Sequence, residues 1–567
     1  MSEKFGRNIT KYRYFRPILC FCNLSRYLLK LECVIIARIW ADYFMSNFVD
    51  YLAHQNPATK KALYTPAEAS AIINAKDALS GICGIIGAIL IDVSLTNYGL
   101  IFFSSLIYGL GFLCLAFFDG TPQNISVVGM FGLFVSATGN LSLMNSSNNL
   151  AKEKRDVNER KTNFFTNIIS YGFGDDNNVF RLVQRHGHVI ALVFLKYATK
   201  LVFIGVTIFL DHVYGINLSD EKKHEDANIQ NIKGLIQHCQ ILIPTFLLLL
   251  MALISLVHIK SFKKPLEDRR NPLKHVVRVC IAAFRKRHLK SCQTPTVEVL
   301  DEASPEHTLK YTDGLRFLDK AAIIQSTQPE EDLTKRRHCT VTQVEETKRL
   351  IRMIPMCMTF LAHGLVKSVG NTFFLIQGMR MDSTISNTKT TQTPIQTLII
   401  LGELSGLATK GLYSVLISKK LTGQAKRYGS PLKYVIGVVL ATFCCTVASW
   451  VASDKGKDDS IAWLIPQFLL FGAMTEVTRD GIEGFFHDQL PPSMIRYDSV
   501  FTDAMIGAGA VLSTALVYAT QSDLEENKDL SIFYRLLTVV CFVILSLFTF
   551  IATRYEYQDN EDKPMIM

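Results

Sequence analysis

Residues 532–553 read IFYRLLTVVCFVILSLFTFIAT and carry a single formal charge, at Arg535. An α-helix needs a run of about twenty mostly apolar residues to cross the hydrocarbon core of a bilayer. Eleven other runs of comparable length and character occur in the chain. This recurrence predicts a polytopic membrane protein built from helices.

The twelve runs form two sets of six, separated by a long polar stretch. The predicted spans are 31–53, 78–95, 98–118, 125–145, 188–211 and 238–259, then 350–375, 394–418, 431–452, 461–484, 499–519 and 532–553. We therefore predict an all-α membrane protein with 12 transmembrane helices in two six-helix halves, which resembles the major facilitator fold. The predicted divisions are an N-terminal tail 1–30, a first half 31–259, a linker 260–349, a second half 350–553 and a C-terminal tail 554–567.

Composition excludes several other classes of protein. The 567 residues are 49% hydrophobic and 19% charged, whereas a soluble domain is about 25% charged. This excludes a soluble enzyme, a disordered chain and a small disulfide scaffold. The 13 cysteines show no metal-binding spacing, and no catalytic constellation is evident. We therefore expect no enzymatic activity, no cofactor and no bound metal.

The distribution of lysine and arginine predicts the orientation in the membrane. The linker 260–349 is dense in cations, the tail 1–30 is basic without a cleavable signal, and the loop 212–237 contains several acids. Because cytoplasmic loops carry the excess of Lys and Arg, both termini and the linker are predicted to be cytoplasmic. The linker is expected to lie along anionic lipid. The rival interpretation, nucleic-acid binding, lacks interleaved aromatic residues or zinc spacing, so no nucleic acid is expected as a partner.

Several strings in and near the linker are more specific than the span pattern. They are KKPLEDRRNPLKHVVRVCIAAFRKRHLK (263–290), LRFLDKAAI (315–323), CTVTQVEETKRLIR (339–352), LIPQFLLFGAMTEVTRDGIEGFFHDQLP (464–491) and KTNFF (161–165). A Phe-Phe-x-Asp-Gln-x-Pro pattern in the fourth string is formed by Phe485, Phe486, Asp488, Gln489 and Pro491. Together these strings resemble the plant nitrate and peptide transporter family, the plant branch of the proton-coupled oligopeptide transporters. The resemblance covers about residues 30–555.

This resemblance implies a secondary transporter working by alternating access. Its expected partners are the lipid bilayer, a small nitrogenous solute (nitrate, an amino-acid-like compound or a di- or tripeptide) and the proton. It leaves open the plasma membrane and the vacuolar or other endomembranes. It does not indicate an oligomeric state.

The chain departs from the family at residues implicated in proton coupling. The family's ExxER motif on the first span aligns with Val34, Ala37 and Arg38, so only the arginine remains. The lysine that the family carries on its fourth span aligns with Ser142. Because Val34 and Ala37 cannot titrate, another acid would have to carry a coupled proton. Asp42, one turn after Arg38, is a candidate replacement. The departures also keep open a non-transporting receptor or regulatory interaction member of the family.

Charged residues inside the predicted spans are the candidate functional residues, because charge at membrane depth is costly. Glu476 matches the family's glutamate at the substrate cavity, and Arg479, Asp480 and Glu483 follow it at helical spacing. One interpretation is a cavity-lining cluster in which Glu476 binds a cationic group or carries a proton. The other is an ion pair within the helix, between Glu476 and Arg479 or Asp480.

Lys367 is the candidate cation of the seventh span. It could attract nitrate or a substrate carboxylate, or form a structural salt bridge with an acid such as Glu476. His363, one turn earlier, is expected to be a packed or backbone-bonded imidazole. In the eighth span, Glu403 and Lys410 lie two turns apart, and a bridge through a neighbouring helix is expected.

Overall fold

The computed structural model shows a helical protein. It describes residues 65–93, 102–103, 105–111, 113, 242, 245–250, 252–253, 272–287, 314–322, 339–379, 381, 395–418, 427–454, 460–491, 493–520 and 530–557. Within these residues, nine helices are named here in chain order: α1 Pro66–Val93, α2 Pro272–Arg285, α3 Val341–Gly370, α4 Phe373–Met379, α5 Gln396–Tyr413, α6 Gly429–Asp454, α7 Ile465–Gln489, α8 Asp498–Ala519 and α9 Leu530–Arg554. Three short 3-10 segments, Asp319–Ala322, Ile461–Leu464 and Ile495–Tyr497, and a π-helical turn, Ser414–Ser418, complete them.

The chain forms two compact units. The first contains Met1–Thr65 and Leu95–Lys264, and the second contains Pro66–Ser94 and Pro265–Met567. In the first unit, the described parts of two predicted spans pack together, since a Cβ added to Gly109 would lie 3.1 Å from Leu249 Cδ2. All nine named helices belong to the second unit. The packing of α1 against α8 in that unit is a tertiary contact that the span pattern does not predict.

Seven helices among the described residues are long and apolar enough to cross a membrane. The last of them, α9, leaves a row of large apolar side chains exposed, which are Val539, Phe542, Val543, Leu547 and Phe550. A soluble protein rarely exposes so large a continuous apolar surface, whereas lipid accepts it. The predicted spans 31–53, 125–145 and 188–211 lie outside the described residues.

Two helices begin earlier than the apolar pattern predicts. The start of α1 is Pro66 rather than residue 78, because proline is favoured in the first helical turn and Glu68 follows it there. The start of α3 is Val341 rather than residue 350, because Thr340 and Gln343 form a reciprocal capping box. Both predicted starts were wrong because the charges of the first turns lower the hydropathy of the segment.

Glycine allows two pairs of helices to pack with their backbones close together. A Cβ added to Gly402 of α5 would lie 2.7 Å from the carbonyl oxygen of Phe468 of α7. A Cβ added to Gly81 of α1 would lie 2.9 Å from the carbonyl oxygen of Asp503 of α8. Close helix packing therefore explains the glycine at position 81.

Aromatic side chains fill the core of the second unit in two clusters. In one cluster, the ring of Phe374 lies 5.5 Å from that of Tyr534 and 6.3 Å from that of Phe468, measured between centroids. In the other, Phe360 packs edge-on against Phe485 at 5.2 Å and Phe486 at 5.9 Å. The Phe-Phe pair of the family pattern is therefore part of the core.

The linker string LRFLDKAAI is docked on α3 by a buried ammonium group. The side chain of Lys348 is fully buried, and its Nζ lies 2.6 Å from Asp319 Oδ1 and 2.8 Å from Glu345 Oε1. Lys286, just after α2, donates to the carbonyl oxygen of Ala321 at 3.1 Å, and burial lowers the pKa of Lys286. These contacts attach α2 and residues 314–322 to the first turns of α3.

We predict that Gly402→Ala lowers the thermal stability of the purified protein. The added methyl group would meet the backbone of α7, and such overpacking costs about 1–3 kcal/mol. Gly411→Ala on the same helix is the matched control, because a Cβ there meets nothing within 4 Å. The control should retain or slightly raise the melting temperature in detergent. Equal melting temperatures for the two variants would contradict the close approach of α5 and α7.

Candidate functional site

Two separate groups of charged residues lie within the described helices of the second unit. One group connects α1, α3, α7 and α8, and the other connects α5, α6 and α7. Arg479 and Asp480, two of the four charged residues that the sequence places close together on the tenth span, belong to different groups, because adjacent positions on α7 face different neighbouring helices.

In the first group, an ion pair joins α7 to α8. Arg479 Nη2 lies 2.8 Å from Asp503 Oδ1, and the two side chains are 24% and 11% exposed. The interpretation in which Arg479 pairs with Glu476 on its own helix is therefore wrong. The guanidinium is held in a fixed orientation by a carboxylate of another helix, which makes Arg479 a rigid part of the site.

Lys367 lies beside this pair without joining it. Its electrostatic neighbours are the carboxylates of Asp77 and Asp503 and the cations Arg479 and Lys76, yet no carboxylate of the described residues reaches ion-pair distance. Asp77 on α1 instead pairs with Lys76, at 2.9 Å from Nζ to Oδ1. The alternative in which Lys367 forms a salt bridge with an acid such as Glu476 is therefore not observed among the described residues.

His363 extends the first group by one helical turn along α3. The imidazole is 2% exposed, and among the described residues neither ring nitrogen has a hydrogen-bond partner. Its charged neighbours are Lys367 and Arg479, both cations. Of the two alternatives expected for His363, a packed or a backbone-bonded imidazole, the structure shows the packed one, a buried polar group beside Lys367.

In the second group, Asp480 bridges two lysines. Its Oδ1 lies 2.9 Å from Lys410 Nζ on α5, and its Oδ2 lies 2.5 Å from Lys433 Nζ on α6. Lys410 therefore pairs with an acid of a neighbouring helix, Asp480 of α7. A cavity of about 170 Å³ adjoins it, lined by Lys410, Tyr413, Ser414, Lys433, Val477 and Asp480.

The remaining predicted residues have individual positions. Glu476 is half-buried, and its Cγ would meet a Cβ added to Gly406 at 2.6 Å. Glu483 is also half-buried, with Arg479 and Asp503 among its charged neighbours. Glu403 is half-buried on α5. Two further predicted residues, Arg38 and Asp42, lie outside the described residues.

Sequence analysis missed three charged residues of these groups. Asp77 precedes the predicted start of its span by one residue, so the error at the start of α1 hid it. Asp503 lies within the predicted span 499–519, and the rule that charge at membrane depth marks function would have selected it. Lys433 lies near the start of the predicted span 431–452, and the same rule would have selected it.

Among the described residues, no group of three or more His, Cys, Asp or Glu side chains could hold a metal ion. The side chains that this part of the chain brings together are ammonium, guanidinium and carboxylate groups within apolar helices. They can bind and orient a charged or zwitterionic small molecule by complementary charge.

The apolar helices and their buried charges define a polytopic integral membrane protein. The family described as "PTR2: POT family" matches residues 241–533, more than half of the 567 residues. The chain therefore belongs to the POT family. This confirms the resemblance inferred from the linker and tenth-span strings.

The most similar curated proteins include members of one plant family. Protein NRT1/ PTR FAMILY 5.5 of Arabidopsis thaliana is 28% identical over 321 residues, which are 52% of this chain and 60% of that protein. The chain thus matches about three fifths of the length of that relative. Protein NRT1/ PTR FAMILY 5.13 of Arabidopsis thaliana is 26% identical over 562 residues, covering 93% of this chain and 92% of that protein.

Solved structures confirm the predicted fold class. An auto-inhibited POT family peptide transporter has a TM-score of 0.57 and 16% identity, with 95% of this chain and 99% of that chain covered. The POT family transporter PepTSo has a TM-score of 0.59 and 13% identity, with coverages of 94% and 99%. The chain therefore has the all-helical membrane fold of the POT transporters, which is the major facilitator architecture predicted from the spans.

We predict that Asp503→Ala destabilises the protein by about 3 kcal/mol, because it leaves the guanidinium of Arg479 buried without its partner. The double variant Arg479→Leu/Asp503→Leu should recover most of this loss. Lys410→Ala is the control and should cost about 1 kcal/mol or less, since Asp480 keeps Lys433. Unfolding in detergent measures all three. Additive losses in the double variant would contradict a coupled pair.

Proposed function

We propose that the protein is a secondary transporter that moves a small nitrogenous solute by alternating access. The candidate solutes are nitrate, an amino-acid-like compound and a di- or tripeptide. The observation that carries this proposal is Lys367, a cation among membrane-spanning helices that has carboxylate neighbours but no ion-pair partner among the described residues. Membership of the POT family supports it, as does the name of the solved peptide transporter with the same fold.

We assign different roles to the candidate residues. Lys367, with Arg38, would bind the anionic group of the solute, and Glu476 would bind its cationic group or carry a proton. Arg479, fixed by Asp503, would orient the anionic end without moving. A zwitterion satisfies both kinds of charge, whereas nitrate needs the cations alone. The secondary candidates are Glu403, Lys410, Asp480 and Glu483.

We propose that proton coupling is weak. Val34 and Ala37 occupy the positions of the family's titrating glutamates, and neither side chain can bind a proton. The acids that could replace them are Asp42 and Glu476. Asp77, which lies among the electrostatic neighbours of Lys367, adds a third candidate. An acid in such a setting changes its proton affinity when a neighbouring cation binds a solute, which is the physical basis of coupling.

The alternative function is that of a non-transporting receptor or regulatory member of the family. Two observations favour it: the missing motif residues and the linker docked on α3 through Lys348, which presents a fixed surface to a partner. For either function, we place both termini and the linker on the cytoplasmic side, because of the Lys and Arg excess there. The membrane would be the plasma membrane or the vacuolar or another endomembrane.

Solute flux into liposomes that contain the purified protein tests the proposal. Nitrate, amino acids and dipeptides are offered with and without an inward proton gradient. We expect uptake of at least one class above that of protein-free liposomes, with little acceleration by the gradient because the ExxER acids are missing. Strong acceleration would show that Asp42, Asp77 or Glu476 has taken over coupling. Absence of flux for every solute, with folded protein, would overturn transport and support the receptor.

We predict that Lys367→Gln weakens the transport of the solute identified in this way by about tenfold, since a hydrogen bond to a charged group is lost. Lys367→Arg keeps the positive charge and should retain part of the uptake, although its geometry differs. The measurement is the concentration dependence of uptake. If Lys367→Gln and the parent protein transport equally well, Lys367 does not bind the solute.

We also predict that Glu476→Gln changes transport of a zwitterion but leaves nitrate transport unchanged. The carboxylate is needed only where the solute carries an amine or where Glu476 carries the proton. Glu556→Gln is the matched control, because Glu556 is exposed and follows the last helix. Comparing the two variants for a dipeptide and for nitrate separates the roles. Unaltered dipeptide uptake in Glu476→Gln would remove Glu476 from the site.

A further inference from the structure

The helix α2 of the linker has one face packed against the protein and one face open. Val279 is fully buried and Ala283 is 3% exposed, and both pack in a cluster with Leu318, Ala321 and Val344. On the other side, Val277 is 58% exposed, Ile281 is 49% exposed and Phe284 is 67% exposed. These three residues follow one another at i, i+4 and i+7, so they form one continuous apolar strip along the helix.

A strip of positive charge runs beside the apolar strip. It consists of Lys274, Arg278 and Arg285, which are offset from the apolar residues by one position along the helix. The sequence PLKHVVRVCIAAFR of α2 contains no acidic residue. Arg287, just beyond the helix, lies over the ring of Phe284 at 4.7 Å from its centroid. The open face of α2 is therefore apolar along one edge and cationic along the other.

The position of α2 on α3 places this face at the level where α3 becomes apolar. The cluster that includes α2 contacts α3 through Val344 and Ile351. The α3 segment 345–352 is charged, reading EETKRLIR, and the following segment 353–366, MIPMCMTFLAHGLV, contains no Asp, Glu, Lys or Arg. A transmembrane helix changes composition in this way at the boundary between hydrocarbon and water. The contact therefore sets α2 at the interface end of a membrane-spanning helix.

Hydrogen bonds and an ion pair attach the end of α2 to residues 314–322 and these residues to α3. Lys286 donates to the carbonyl oxygen of Ala321 at 3.1 Å, and Lys320 donates to the carbonyl oxygen of Arg287 at 2.9 Å. Asp319, in the same short segment, forms the 2.6 Å ion pair with the buried Lys348 of α3. These contacts fix the position of the open face along the axis of α3.

We infer that the open face of α2 binds the surface of a membrane that contains anionic phospholipid. The apolar strip of Val277, Ile281 and Phe284 enters the boundary between headgroups and acyl chains, and the cationic strip pairs with lipid phosphates. Charge complementarity and the level of the helix on α3 select lipid over other occupants. This interaction does not depend on transport, because it requires only the docked linker.

Fluorescence quenching by brominated lipid tests this inference on the full chain in liposomes. The three native tryptophans, Trp40, Trp450 and Trp463, are replaced by Phe, and Phe284→Trp supplies the reporter. Vesicles contain phosphatidylcholine alone or with phosphatidylglycerol, each with or without bromine on the acyl chains. We expect quenching of about twofold in brominated vesicles that contain phosphatidylglycerol, because the ring lies near the acyl chains.

Two sets of variants separate charge from apolar contact. Neutralising Lys274, Arg278 and Arg285 to Gln should reduce the quenching and abolish its dependence on phosphatidylglycerol. Exchanging each of these cations for the other type, Lys for Arg and Arg for Lys, is the matched control and should preserve both. All substituted positions lie on the open face. The packing of the buried residues Val279 and Ala283 should therefore be unchanged, and the melting temperature should be the same as that of the parent protein.

Two results would overturn the inference. A reporter that is unquenched by brominated lipid but quenched by acrylamide in water would show that the face is open to solvent or to a soluble partner. Quenching that is insensitive to phosphatidylglycerol and to the neutralised cations would show contact with lipid in general, without recognition of its charge.

Discussion

A charge inside a bilayer is costly unless an opposite charge lies beside it, and this constraint organises the second unit. The ion pair of Arg479 with Asp503 joins α7 to α8, and the carboxylate of Asp480 joins α7 to both α5 and α6. Because an unpaired charge is costly at low dielectric, these pairs determine how α7 is rotated against its neighbours. Lys367 has no such partner among the described residues, because the neighbouring carboxylates of Asp77 and Asp503 pair with other cations.

Much of the architecture could be predicted because it follows from local properties of the chain. Runs of apolar residues predict α5, α6, α8 and α9 to within a few residues of their observed ends. The family could be inferred from LRFLDKAAI, and the structure gives a physical reason for the specificity of this string. Asp319 pairs with a fully buried lysine, while Leu318 and Ala321 fill the cluster beneath α2.

The partners of the charged residues could not be predicted, because they are set by tertiary packing. Helical spacing places Glu476 and Arg479 near each other on the surface of one helix. It contains no information on Asp503, which approaches Arg479 from another helix. Asp77 was missed for a different reason, since hydropathy finds where a helix becomes apolar and not where it starts. Glycine at Gly81 then brings α1 close enough to α8 to place Asp77 near Lys367.

The ion pair of the buried Lys348 with Asp319 makes the sequence of the linker and the sequence of α3 depend on each other. Asp319 and Lys348 are 29 positions apart in the chain, yet their charges lie 2.6 Å apart, and Glu345 of α3 is a second carboxylate beside Lys348. A chimeric protein whose linker lacks Asp319 would keep only Glu345 beside the buried Lys348 and would lose the ion pair that attaches residues 314–322 to α3. Exchange between relatives should therefore succeed at junctions that keep 314–322 and α3 from the same parent.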